Sequence, residues 1–115
     1  MTYEPQIESL INRVKYLTPE QAKDLAAAWG TKQRSVWFDT LRILSEANRF
    51  DTFSSARNSA WSDAWVNVRN DVPRAARGAS WGAVRDAVLA LVARDLIRVS
   101  DFNILYGPWG KVMDR

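Results

Sequence analysis

Residues 87–93 read Ala-Val-Leu-Ala-Leu-Val-Ala, the richest apolar run in the chain. The residues around it, from Trp81 to Ile97, keep a helical period and are apolar almost all round, as expected of a helix enclosed by others. The run therefore predicts an all-α fold: a compact single-domain bundle of five or six helices with a central apolar helix near residues 80–97. Helical periodicity extends from Arg74 to Arg98. Gly78 and Gly82 interrupt it at about 1 kcal/mol each relative to alanine. Either the helix bends near Gly78, or the glycines let a neighbour approach closely.

Working outward, Ile7, Leu10, Ile11 and Val14 recur at helical spacing behind Pro5, so a first amphipathic helix is read over residues 5–16. Thr18-Pro19-Glu20-Gln21 is the clearest helix start, with a capping hydroxyl, proline at the first helical position and Gln21 closing a capping box. Ala22, Leu25, Ala26 and Trp29 form the inward stripe of that second helix, and Gly30 is read as its left-handed stop. Thr31 is expected to cap a third helix running to Ala47, with Val36, Trp37, Thr40, Leu41 and Leu44 facing inward. Residues 48–52 read as a loop. A fourth helix carries Phe53, Ala56, Ala60, Trp61, Ala64, Trp65 and Val68, and Pro73 opens the next. Ser100 is expected to cap a short last helix over residues 101–106, broken by Gly107-Pro108 before Trp109. No strand pattern occurs.

At 115 residues the chain has single-domain size, and residues 1–115 are read as one helical domain. The composition, 47% hydrophobic and 25% charged, is that of an ordered protein. Glu4 and Glu8 stand where a signal peptide has its basic and apolar regions, and no apolar stretch approaches a membrane span. A cytoplasmic location without membrane contact is expected.

The chain holds six tryptophans but no histidine and no cysteine. It therefore lacks an imidazole base, a thiol nucleophile and the usual zinc ligands. Glycines 30, 78, 82, 107 and 110 match neither a P-loop nor a dinucleotide fingerprint. The reading is a non-enzyme with no catalytic residue, cofactor or metal. Binding is the remaining class of activity. The net charge is +3, and twelve of the sixteen cations are arginine, which suits carboxylate, phosphate and aromatic contacts better than lysine does.

Two surfaces are expected. The first is a protein-binding patch of Trp37, Phe38, Trp109, Arg74 and Arg77, built on the two tryptophans least tied to the core pattern. Trp61, Trp65 and Trp81 are read as core. The same patch would also serve self-association into a homo-oligomer. The alternative is a helix-turn-helix over residues 22–41, in which Ala26, Gly30 and Val36 take the small, turn and docking positions. Lys32, Gln33 and Arg34 would then face DNA. A plain helical hairpin closed by Gly30 fits those residues equally well.

Ala75-Ala76-Arg77-Gly78-Ala79-Ser80-Trp81 through Ala93-Arg94-Asp95-Leu96-Ile97, followed by Tyr106-Gly107-Pro108-Trp109, resembles small Ala/Trp/Arg-rich helical proteins of actinobacteria and their phages. The resemblance implies a bacterial or phage cytoplasmic origin and an all-helical fold; the lack of catalytic chemistry together with surplus tryptophan points to a small accessory protein that binds a host or partner protein. The resemblance carries no activity and no functional residue. The first 55 residues depart from the pattern.

Overall fold

The apolar run at 87–93 lies inside one long helix, and everything else is arranged around it. The computed structural model describes residues 4–30, 32–68 and 72–114, excluding the side chains of residues 4 and 63–68. Six helices follow in order: α1 (Glu4–Lys15), α2 (Pro19–Ala28), α3 (Lys32–Glu46), α4 (Phe50–Val68), α5 (Arg74–Ala93) and α6 (Val99–Met113). Among the described residues there is no strand, and no helix is long and apolar enough to cross a membrane. The fold is an all-α bundle. Every other helix packs on α5, whose residues 82–84 and 86–93 are all buried. Each of its buried valines and leucines contributes about 1.5–3 kcal/mol of hydrophobic free energy. The radius of gyration, 13.1 Å, is that of a compact chain of this length.

Local signals act as the sequence indicates at the start of α2. Thr18 accepts from the Gln21 backbone N–H, and the Gln21 side chain accepts from the Thr18 N–H, completing the capping box. Phe53, Ala56 and Ala60 of α4 are buried. Trp61 meets Trp81 of α5 edge to face, with ring centroids 4.5 Å apart. Trp65 and Thr31 lie outside what is described.

Several boundaries differ from expectation, each because a distant partner intervenes. Gly30 is not left-handed: α2 ends in an extended Trp29, φ −80° and ψ 139°. Asn48, at φ 58°, is the left-handed residue. It closes α3 in a Schellman motif, with Arg49 N donating to the Leu44 carbonyl and Asn48 N to that of Ser45. Residues 48–52 are thus no loop, and α4 begins at Phe50. At the far end of the bundle, Arg49 donates to the Val92 carbonyl and grips both oxygens of Asp95, at 2.6 and 3.0 Å. A cation on those last carbonyls helps end α5 at Ala93, short of Arg98. Its hydrogen bonds also hold the Asp95 carboxyl below the usual carboxylate range.

The largest departure is α6, which starts before Ser100 and runs straight through Gly107-Pro108. Proline has no N–H for the carbonyl of residue 104. Buried Gln33 supplies the missing donor: its Nε2 donates to the Ile104 carbonyl at 3.0 Å, while its Oε1 accepts from Gly30 N at 3.0 Å. The Pro108 ring is itself buried.

Two predictions follow from these contacts. Gln33→Ala is expected to cost about 1–3 kcal/mol in urea unfolding, and less in a Pro108→Ala background, where residue 108 regains an N–H for Ile104. The glycines of α5 are expected to behave oppositely. A Cβ on Gly82 would lie 2.7 Å from the Trp29 ring, whereas one on Gly78 meets nothing within 4 Å. Gly82→Ala is expected to destabilise by about 1–3 kcal/mol, and Gly78→Ala to stabilise by up to about 1 kcal/mol, as read by thermal unfolding.

Candidate binding site at the start of α3

Because Trp29 leaves α2 extended, its indole swings onto α5 and rests in the gap left by Gly82. A tryptophan half-buried there, with its N–H turned to α5, takes an acceptor. Asp86, one turn along α5 and fully buried, provides it: Trp29 Nε1–H donates to Oδ2 at 2.8 Å. The other carboxylate oxygen accepts from Arg85, whose Nε and Nη2 both lie 3.2 Å away. Adjacent residues on a helix do not face each other. Arg85 therefore starts at the edge of the core and folds back over it to reach Asp86.

That fold-back places the Arg85 guanidinium 4.5 Å from the centre of the Trp37 ring, a cation–π contact. Trp37 meets Phe38 edge to face at 5.0 Å. The Trp37 N–H is buried without a hydrogen-bond partner. Trp29, Gly30, Arg34, Trp37, Phe38 and Arg85 together line a cavity of about 400 Å³, within the size range of ligand pockets. Phe38 is 62% exposed at this site. Arg34 is exposed and has no ion pair among the described residues.

Burial pushes the Asp86 carboxyl above the usual carboxylate range, while the Trp29 hydrogen bond and the Arg85 charge pull the other way. The pocket wall is thus two arginines and three aromatic rings, with its one carboxylate beneath the surface.

The expected site residues are distributed unevenly over this geometry. Trp37, Phe38 and Arg34 come together in the pocket. Arg74 and Arg77 sit in the first turn of α5 and do not line it. Trp109 is 1% exposed and belongs to the core, because α6 does not break at Pro108 and keeps it one turn beyond buried Leu105. The expectation of an exposed Trp109 is corrected accordingly. Gln33, read as facing DNA, is 6% exposed and committed to Gly30 and Ile104. Lys32 is exposed. The docking of α3 on α2 implied by Ala26, Gly30 and Val36 is absent: both helices pack on α4, α5 and α6, and no contact joins them among the described residues. The extended Trp29 separates them.

Asp86, Arg85 and the placement of Trp29 were not read from the sequence. Their signal was an Arg-Asp pair inside an apolar run, five residues after a tryptophan and beside a mid-helix glycine.

A second depression, of about 510 Å³, lies between α1, α5 and α6. Three of its polar groups, Arg13, Tyr106 and Asp114, bond to each other. Arg13 holds Asp114 at 2.7 Å and also donates to the Met113 carbonyl, and Tyr106 donates to Asp114 at 2.8 Å. Burial and that carboxylate push the Tyr106 hydroxyl up to about 12, so it stays a donor. Arg94 lies over Phe102. Arg94 thus already meets a ring, whereas the pocket at α3 leaves a guanidinium, that of Arg34, with neither an ion pair nor a ring contact among the described residues.

Comparison with protein-family models, with curated proteins and with solved structures returns no match.

The buried carboxylate gives a pH test. Asp86 binds its proton more readily folded than unfolded, so its contribution to stability is complete below its unfolded value of 3.8 and is lost as pH rises through the raised folded value. Asp86→Asn removes this titration. Wild type is therefore expected to gain stability relative to Asp86→Asn as pH falls from 7 towards 4, measured by urea unfolding. Asp86→Ala, which strands the Trp29 N–H, is expected to cost about 1–3 kcal/mol at pH 7.

Proposed function

We propose that this chain is a non-enzymatic binding protein that engages a host or partner protein through the pocket at the start of α3. The observation that carries the proposal is Phe38, a large aromatic ring left 62% exposed beside a cavity walled by Trp37, Arg34 and Arg85. Single exposed apolar residues such as Tyr16 and Val99 are ordinary on a protein surface. Phe38 differs because it adjoins further aromatic rings and two guanidiniums, the residue types enriched where interfaces concentrate their binding energy. The chemistry of the chain supports binding over turnover, since it offers neither imidazole nor thiol.

The test is affinity capture from bacterial lysate with wild type and with a Phe38→Ala/Arg34→Ala variant as bait. A protein retained by wild type and depleted roughly tenfold or more on the variant is the expected result. Equal recovery on both baits, or turnover of a small substrate by the pure protein, overturns the proposal.

A further inference from the structure

We infer that the pocket at α3 takes an extended, acidic peptide segment in which an aromatic or large aliphatic side chain stands one or two residues from an aspartate or glutamate. This rests on the partner-binding reading above and names the chemistry of that partner.

The argument begins with charge. Among the described residues, Arg34 and Arg85 are the only ionisable groups lining the cavity. Arg85 is already committed twice, to Asp86 below and to the Trp37 ring beside it. Arg34 has neither kind of contact among the described residues, so its planar guanidinium is the group left to meet a ligand, and a carboxylate matches its paired donors. The first turn of α3 contains no acidic residue, so the charge of Arg34 is not offset within its own helix end.

Spacing gives the second part. Arg34 and Phe38 are four apart on α3 and share one face, with Trp37 beside them. One helical turn, about 5.4 Å, separates the charged subsite from the aromatic one. An extended chain advances about 3.3 Å per residue, so a carboxylate and an apolar side chain one or two residues apart span that distance.

Extent gives the third. Phe38 lines the cavity and is 62% exposed, a larger ring surface than a small molecule seated against it would cover. A peptide that continues past the anchor residue would cover it. Gly30, also in the lining, brings no side chain, and a Cβ built there meets nothing within 4 Å, so a backbone has room to pass. The aliphatic or aromatic anchor then lies against the Trp37 and Phe38 rings, where apolar burial supplies most of the affinity and the Arg34 contact selects for the acid.

The experiment is to pan a displayed random heptapeptide library against the full-length protein and its Arg34→Gln and Phe38→Ala variants. The indole N–H signals of the labelled protein are then titrated with the best synthetic peptide. Wild type is expected to enrich an aromatic or large aliphatic residue one or two positions from Asp or Glu. That peptide should shift the Trp29 and Trp37 indole signals and lose affinity about fivefold to tenfold when its acid is replaced by the amide. Arg34→Gln, a change at an exposed position, is expected to keep the apolar preference and lose the acidic one. Phe38→Ala is expected to weaken both.

Enrichment of basic or uncharged sequences, shifts confined to other tryptophans, or an acid preference that survives Arg34→Gln overturns the inference. So does 3-phenylpropionate binding as tightly as the peptide, which would make the occupant a small carboxylate. If these results come with a captured partner that still depends on Phe38 and Arg34, the acidic-peptide chemistry falls and the partner-binding reading stands. If capture shows no dependence on the pocket, that reading falls by itself.

Discussion

The buried carboxylate of Asp86 is the constraint on which the candidate site depends. It sits at 0% exposure within the central helix of the bundle, where an ionised group without partners would be untenable. Its two partners come from opposite directions: the Trp29 indole from the end of α2, and the Arg85 guanidinium from its own helix. Satisfying Asp86 therefore fixes the exit path of α2 and turns Arg85 across Trp37. The pocket is a by-product of that bonding: two of its walls, Trp29 and Arg85, are where they are because Asp86 needs donors.

Gly82 is the steric half of the same arrangement. A helix interior normally disfavours glycine, yet here the missing Cβ is the space the indole occupies. The gap left by Gly82 and the acceptor offered by Asp86 recur one turn apart on the face of α5 that meets Trp29. Without either, the extended residue at 29 would have no reason to lie on α5, and α3 would be free to fold back on α2 as its spacing suggests.

What could be read from the sequence divides along the distance between partners. The capping box at Thr18 and Gln21 was legible because both members lie within four residues. The central helix was legible because its apolar period repeats locally. The left-handed stop was assigned to Gly30 and belongs to Asn48, since glycine permits a positive φ without requiring it, and Trp29 is held extended by a residue far along the chain. Phe38 is exposed beside a half-buried Trp37, as their adjacency at the edge of the inward stripe allows, whereas Trp109 was misread because its fate depends on Pro108. In the pocket, α3 supplied the visible residues. Its other wall, on α5, was hidden inside a run that reads as pure core.

Pro108 shows what such distance means for the order in which the bundle can be completed. Local rules would split α6 at this residue, and a side chain seventy-one positions before Ile104 donates to the carbonyl that proline leaves without a partner. The middle turn of α6 is therefore not a property of α6: its backbone is satisfied only after α3 has reached its place. This ties the N-terminal part of the chain to its last helix through one amide, so a change at the start of α3 is felt in the backbone of α6.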